Sequence, residues 1–231
     1  MSLQDAVRAV GLIPAQTASR DDKKRYAERL SKALAEEIAE GMRGIGFTNT
    51  KPLRGKPGEK EFYGGLGSKK VDVSYSDERH GLIQAVSVKS ICFAPFGKNL
   101  KNRFGDLCTE AITLHMRFPY ASVCMFFAFP EAADDDRTER RTRSTFRRAL
   151  KLLSTVAGRS GYTDAGEKFE NITVMLFKPL THKGGSTGFK LFDAVTEKQL
   201  SEKQYFLRLR DQHDLRNPHA SIFDDEDERI E

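Results

Sequence analysis

The chain has 231 residues, of which 39% are hydrophobic and 31% are charged, and its formal net charge at pH 7 is +5. This length and composition are typical of a globular protein that buries one substantial core. No segment has the roughly 20 consecutive apolar residues that a membrane-spanning helix needs. The N-terminus, MSLQDAVRAVGLIPAQ, lacks the basic start, apolar block and cleavage site of a signal peptide. We therefore expect a cytoplasmic protein without a membrane partner.

The positive charge is unevenly distributed along the chain. The tail at residues 224–231, DDEDERIE, contains six acids and one arginine, a local charge of −5, so the rest of the chain carries +10. A basic body of this kind indicates a polyanionic partner, such as a nucleic acid.

The three cysteines, Cys92, Cys108 and Cys124, are odd in number and fall inside apparent strand or helix segments. They lack the close CxxC spacing of a zinc site. We expect reduced residues of the core.

The first half of the chain predicts one long helix followed by three strands. Apolar residues recur at helical spacing at Tyr26, Leu30, Leu34, Ile38 and Met42, before glycines that end the helix. Three segments with turn signals between them then predict an antiparallel meander: KEFYGGLG (60–67), KKVDVSYS (69–76) and GLIQAVSVKSI (81–91).

A second helix and a buried strand come next. Residues 102–118 have a helical pattern, which Pro119 stops, and residues 121–129, ASVCMFFAF, form a continuous apolar run typical of a strand covered on both faces. The order helix, three strands, helix, strand predicts an α/β core with a mixed sheet over residues 22–130.

The remainder of the chain predicts a basic helix and further elements of the same domain. Three acids at 134–136 precede an arginine-rich segment that ends near Gly158, and NITVMLFK (171–178) is typical of a strand. No linker or repeat divides the chain. We therefore interpret residues 1–231 as one domain, with a basic helix and C-terminal elaboration over 131–223 and an acidic tail beyond.

Two strands of the predicted meander carry polar residues where core residues are expected. Alternate residues of a strand share a face, so Ser87 and Lys89 point one way while Val86 and Val88 point the other. If the apolar residues of both strands share one face of the hairpin, Asp72 lies on the face of Ser87 and Lys89. The carboxylate of Asp72 and the ammonium group of Lys89 could then converge on one ion or water.

An acid and a lysine placed in this way suit the hydrolysis of phosphodiesters. A divalent cation holds a phosphate oxygen and a water, and a nearby positive charge favours deprotonation of that water. Asp72 offers the oxygen ligand and Lys89 the charge, and Mg²⁺ commonly takes one or two carboxylates. A structural ion pair between Asp72 and Lys89 is the alternative interpretation.

These strands and their flanking helices resemble the PD-(D/E)XK nuclease superfamily, the fold of many type II restriction endonucleases. The second strand commonly ends there in acid-any-lysine, whereas this chain has Ser87 at the acid position. Some restriction enzymes of the superfamily carry Ser-any-Lys and bring a glutamate from the following helix, where this chain has Glu110. The resemblance covers residues 59–130. It implies that Asp72, Ser87, Lys89 and Glu110 form the catalytic set, with Asp72 and Glu110 on the metal.

Other acids compete with Glu110 for the metal. Asp106 lies one helical turn earlier, and first-helix glutamates sometimes enter sites of this superfamily. The competing residues are Asp106, Glu59, Glu61 and Glu37. For Glu110 itself, a solvated helix position is the alternative.

The segment from Arg137 to Lys151 contains seven basic residues and one acid. Arginine binds phosphates in a bidentate manner and contacts guanine edges, so we expect Arg140, Arg143 and Arg147 to bind DNA. A solvated helix face is the alternative. In that case the DNA-binding surface would lie elsewhere, for example at KNLKNR, from Lys98 to Arg103.

Together these features predict a Mg²⁺-dependent endodeoxyribonuclease of type II restriction type that cuts double-stranded DNA as a homodimer, since two sites are needed to cut both strands. Two alternatives stay open. One is a repair or structure-selective nuclease of the same fold. The other is a DNA-binding accessory protein that lost activity, for which Ser87 in place of an acid is the main argument.

Overall fold

A computed structural model of the chain describes residues 2–56, 59–139 and 141–218, in which helices cover both faces of a mixed β-sheet. The helices are α1 (Leu3–Ala9), α2 (Arg20–Gly44), α3 (Phe96–Arg117), α4 (Thr145–Ser154) and α5 (Glu202–Arg216). The strands are β1 (Lys60–Gly64), β2 (Gly67–Val71), β3 (Val73–Asp77), β4 (Gly81–Ser90), β5 (Ser122–Pro130), β6 (Asn171–Lys178), β7 (Gly188–Asp193) and β8 (Gln199–Leu200).

The main sheet has the strand order β3-β4-β5-β6-β7-β8. Its centre is parallel, because β5 pairs in parallel with β4 and with β6, and its outer pairs are antiparallel. Every residue of β5 is buried, as a continuous apolar run requires when helices cover both faces. The α/β class and the mixed sheet predicted from the sequence are confirmed.

Alternate residues of the central strands divide between two cores. Val123 and Phe127 of β5 pack in the core formed with α3 and α4, while Cys124 and Phe126 pack in the core formed with α1, α2 and α5. In β4, Ala85 belongs to the α3 side and Val86 and Val88 belong to the α2 side. Strand alternation therefore directs Ser87 and Lys89 toward α3.

The expected three-stranded meander is wrong, because the middle segment is two strands. Its first part forms β2, which pairs with β1 in a separate two-stranded sheet, and its second part forms β3 at the edge of the main sheet. The chain breaks at Asp72. Val71 lies in the α3-side core and Val73 in the α2-side core, although residues two apart in one strand would share a face.

The helix α3 begins six residues earlier than expected, at Phe96 rather than at residue 102, with Pro95 at its N-cap position. It ends at Arg117, two residues before Pro119, as the sequence predicts. Gly97 lies in the first turn and is a poor helix former, which hides the start of the helix in the sequence.

The basic helix begins later than expected. The Ser144 side chain accepts a hydrogen bond from the Arg147 N–H at 3.2 Å and caps α4, and Asp136 accepts hydrogen bonds from the Thr145 N–H and hydroxyl at 2.7 and 2.5 Å. These contacts fix the start of the helix at Thr145. Residues 137–139 and 141–144 therefore precede it.

The last part of the described chain contains β7, β8 and α5, which the sequence left unassigned. Cys92 and Cys124 are buried, Cys108 is partly buried, and all three are free thiols, as expected. Across residues 2–56, 59–139 and 141–218, none of the helices has the length and apolar character to span a bilayer. The acidic tail at 224–231 lies outside the described residues.

Candidate active site

A cleft of ≈ 1520 Å³ opens at the C-terminal end of β4, between the N-terminal half of α2, the β1–β2 hairpin and α3. Its floor carries Asp72, Lys89 and Glu110. Lysine and arginine side chains dominate its walls. The basic residues that line the cleft are Arg20, Lys23, Lys24, Lys32, Lys56, Lys69, Lys70, Lys89 and Arg103.

Asp72 occupies the break between β2 and β3. Its Oδ2 atom accepts a hydrogen bond from the Val88 N–H at 2.7 Å and another from Lys89 Nζ at 3.2 Å. The first bond ties the break to β4 next to Lys89. The second brings together the acid and the lysine that strand alternation predicts to converge.

Glu110 reaches the same lysine from the opposite wall. It lies on the core face of α3, three residues after Leu107 and four before Leu114, so helical spacing turns it toward the sheet. Its side chain is 1% exposed, and its Oε2 atom lies 3.2 Å from Lys89 Nζ. The ammonium group of Lys89 thus bridges the carboxylates of Asp72 and Glu110.

A second lysine, which the sequence analysis missed, contacts the same carboxylate. Lys69 Nζ lies 2.9 Å from Glu110 Oε2. On β2, Lys69 shares a face with Val71, which packs in the α3-side core, and it pairs with the buried Phe62 of β1. The apolar alternation of Phe62 and Val71 was the available signal that Lys69 faces α3.

Burial and charge act in opposite directions on Glu110 and Lys89. Burial raises the pKa of Glu110, but the ammonium groups of Lys89 and Lys69 outweigh it and hold that pKa below its ordinary value. Burial lowers the pKa of Lys89, but the carboxylates of Glu110 and Asp72 outweigh it and hold that pKa above its ordinary value. Both groups are therefore charged at neutral pH.

Ser87 is buried on the same face of β4. Its hydroxyl contributes to the lowered pKa of Glu110, although it has no hydrogen bond of good geometry. It adds a neutral polar group to the floor of the cleft.

The two carboxylates offer oxygens that fit a divalent cation. Glu110 Oε1 is buried and has neither a hydrogen bond nor an ion pair within the described part of the chain. An orphaned buried oxygen beside a second carboxylate suits Mg²⁺, which takes one or two carboxylates and keeps several waters. Asp72 and Glu110 would hold the ion. Among the described residues there is no group of three or more His, Cys, Asp or Glu side chains arranged for a metal.

The other candidate acids lie at the edge of the cleft or outside it. Glu59 and Asp106 line its wall and are exposed, and Asp106 pairs with Arg103 at 3.3 Å. Glu61 is exposed and accepts a hydrogen bond from Ser68, and Glu37 on α2 pairs with Arg54 outside the lining of the cleft. The structure therefore brings Glu110, and none of these four, into contact with Lys89.

The arginines expected to bind DNA differ in their surroundings. Arg147 packs over the ring of Phe146 and lies 3.7 Å from Asp134 Oδ1. Arg143 is exposed in the segment before α4, and Arg140 lies outside the described residues. Lys98 is exposed near the start of α3, outside the cleft lining.

Of the basic residues expected to bind DNA, Arg103 lines the cleft, and basic residues of α2 line it as well. Arg20, Lys23, Lys24 and Lys32 recur at helical spacing along the face of α2 that borders it. The apolar spacing of α2 predicts a core helix and does not assign a role to these basic residues. The recurrence of basic residues at spacings of three, four and eight was the signal available there.

Comparison of the chain with family models, with curated proteins and with solved structures found no match to any of them.

Proposed function

We propose that this protein is a metal-dependent nuclease that hydrolyses phosphodiester bonds of duplex DNA. One observation carries the proposal: Asp72 Oδ2 and Glu110 Oε2 each lie 3.2 Å from the same lysine nitrogen, on the floor of a cleft walled by basic residues. A core that needed only stability would not place two carboxylates and two lysines at the bottom of an open cleft, since buried ion pairs contribute little net stability.

Each residue of the floor has a role in this proposal. Asp72 and Glu110 hold the divalent cation, which would polarise the phosphate and activate a water. Lys89 stays protonated, since its pKa is raised, so it donates hydrogen bonds and stabilises negative charge that develops on the phosphate. The Val88 N–H fixes the orientation of Asp72.

The walls of the cleft offer a path for the phosphate backbone. Arg20 and Lys32 on α2 line one wall and form no ion pair within the part of the chain that the structure describes. Unpaired cations of this kind attract duplex DNA by displacing its counterions. We propose that α2 contributes more to DNA binding than the arginine-rich segment, whose Arg141 and Arg147 pair with Asp136 and Asp134.

A type II restriction role and a homodimer are the finer parts of the proposal. They follow from the resemblance to the PD-(D/E)XK superfamily and from the need for two sites to cut both strands. Analytical sedimentation of the protein bound to a DNA duplex tests the homodimer. Sequencing of the cleaved DNA ends tests the restriction role. Symmetric ends at one sequence would support restriction, and cuts at junctions or flaps alone would support a structure-selective nuclease.

Plasmid cleavage tests the activity itself. Supercoiled plasmid incubated with the full chain should become nicked and then linear in Mg²⁺, and EDTA should prevent both products. The same measurement on Asp72→Asn shows whether the cleft is responsible, because that change removes a ligand charge but keeps the acceptor for the Val88 N–H.

Ser87 in place of an acid supports a second candidate, a DNA-binding protein without activity. Such a protein would bind duplex through the same cations and cleave nothing in any divalent metal. Intact plasmid together with tight duplex binding would therefore contradict nuclease activity and support a DNA-binding protein.

A further inference from the structure

The β1–β2 hairpin is held against α3 at its turn. The Gly65 N–H donates a hydrogen bond to the Thr113 carbonyl at 2.8 Å, so a backbone carbonyl of the helix accepts a hydrogen bond from the hairpin. A Cβ at Gly64 would lie 2.5 Å from Thr113 Cγ2, and one at Gly65 would lie 2.3 Å from Met116 Cβ. Only glycine allows this approach, so the turn of the hairpin is fixed on the helix that carries Glu110.

The same hairpin delivers Lys69 to Glu110. From the turn, β2 runs along α3 with Val71 in the core, and Lys69 projects on that face to within 2.9 Å of Glu110 Oε2. Lys70 lies on the other face of β2, where it is exposed and borders the cleft without an ion pair to Glu110 among the described residues. The lysine that reaches the carboxylate is 33% exposed, so the contact is open to the cleft rather than sealed in the core.

Two ammonium groups, those of Lys69 and Lys89, share one buried carboxylate oxygen of Glu110. Lys89 alone could neutralise Glu110, but it is shared with Asp72. Lys69 makes an ion pair with Glu110 and with no other acid in the described residues. The floor therefore has two lysines for two carboxylates, and Lys69 is the one on a separate, less buried element.

We propose that Lys69 is a positioning residue that neutralises and orients Glu110 until a divalent cation takes its place. This inference rests on the proposed metal site. In it, the β1–β2 hairpin sets the affinity of that site for a divalent cation. Removal of the Lys69 charge takes away both a competitor for Glu110 and a positive charge that repels the metal. Divalent cations should then bind more tightly.

Calcium binding to the full chain without DNA tests the proposal. We expect Lys69→Met to lower the dissociation constant for Ca²⁺, measured by calorimetry, by about tenfold relative to the unchanged chain. Lys70→Met is the matched control, because it removes an exposed charge that borders the same cleft but makes no ion pair with Glu110 in the described residues. Its dissociation constant should stay within about twofold.

Thermal unfolding supplies the second readout. In EDTA, Lys69→Met should unfold at a lower temperature than Lys70→Met, because Glu110 keeps only the cation that it shares with Asp72. Added Ca²⁺ should raise the unfolding temperature of Lys69→Met by more than it raises that of the unchanged chain. Lys69→Gln, which is neutral but can still donate a hydrogen bond, should tighten Ca²⁺ binding as well and serves if Lys69→Met does not fold.

The outcomes separate this inference from the proposed function. Measurable Ca²⁺ binding with the same dissociation constant in all four chains would overturn the role of Lys69 and leave the metal site standing. An absence of Ca²⁺ binding from every chain would overturn both the site and the exchange at Lys69. Tighter binding in Lys69→Met and Lys69→Gln would support the inference even if no duplex is cleaved.

Discussion

Glu110 and Glu170 are the two most buried glutamates among the described residues, and their surroundings differ. Glu170, before β6, has both oxygens satisfied: Oε1 accepts from Arg159 Nη1 at 2.9 Å, and Oε2 accepts from the Val123 N–H at 2.8 Å. His115 Nε2 lies 3.3 Å away and Arg216 Nε 3.7 Å away. Glu110 has two lysines on Oε2, and its Oε1 has no hydrogen bond or ion pair of good geometry to any described residue.

The difference separates an acid that holds the fold together from one that is available to a ligand. The four partners of Glu170 lie in different parts of the chain: His115 in α3, Val123 in β5, Arg159 after the end of α4, and Arg216 in α5. Glu170 therefore connects four parts of the fold. The lysines of Glu110 open to a cleft, and its free oxygen lacks the partner that a purely structural acid would have.

The largest expected effect separates the two glutamates by activity. Glu110→Gln should reduce plasmid cleavage at least about a hundredfold, because it removes a metal ligand charge at the reacting phosphate. Glu170→Gln should cleave at close to the normal rate at any temperature where it is folded. Equal losses in both variants would remove the distinction between them.

For the free energy of unfolding we expect the opposite order, with the larger effect at Glu170. Glu170→Ala leaves Arg159 and Arg216 buried without their acid and should cost about 3–5 kcal/mol in the free energy of unfolding, measured in urea. Glu110→Gln should cost about 1–2 kcal/mol, because Lys69 and Lys89 can be hydrated through the cleft. A larger loss for Glu110→Gln than for Glu170→Ala would make Glu110 the structural acid.

These features differed in how visible they were in the sequence. Strand alternation was sufficient to place Lys89 and Ser87 on one face, and the resemblance to a nuclease superfamily pointed to Glu110. Lys69 was missed because its position depends on a separate sheet packed on α3, a tertiary arrangement that local patterns do not encode. The break at Asp72 was missed because the segment KKVDVSYS has the alternation of one continuous strand.

Charge patterns were harder to interpret than apolar ones. The arginine-rich segment is conspicuous in the sequence, yet Arg141 and Arg147 pair with Asp136 and Asp134 in the fold. The cations of α2 are interleaved with acids, and only the apolar face of this helix was used in its prediction. Which basic residues are neutralised depends on acids brought close by folding, and this decides which remain free for DNA.

Duplex affinity tests that contrast between the cleft and the arginine-rich segment. Lys32→Ala should weaken binding to all sequences and reduce the slope of log affinity against log salt by about 0.9, because one phosphate contact is lost. Arg147→Ala should change neither quantity. Fluorescence anisotropy across a salt series measures both quantities. The opposite result would indicate that the arginine-rich segment, and not α2, binds the DNA.

The smallest expected effect is a pH dependence of stability. The pKa of Glu110 in the folded chain lies below its ordinary value of 4.5, so its charge stabilises the fold above pH 4.5, and that stabilisation disappears as pH falls through the folded pKa. The difference in unfolding temperature between the unchanged chain and Glu110→Gln should therefore narrow below pH 4.5. A difference that stays constant down to pH 3 would contradict the charge balance at the floor.

The rate at which bound duplex is cleaved by Lys89→Met tests most directly whether the cleft is catalytic. Under single turnover with saturating duplex and Mg²⁺, we expect a rate at least about a hundredfold below that of the unchanged chain, because the donor that stabilises the developing phosphate charge is gone. Duplex affinity should stay within about threefold, since one of many cations is lost. Cleavage at the normal rate by a folded Lys89→Met protein would show that the chemistry takes place elsewhere.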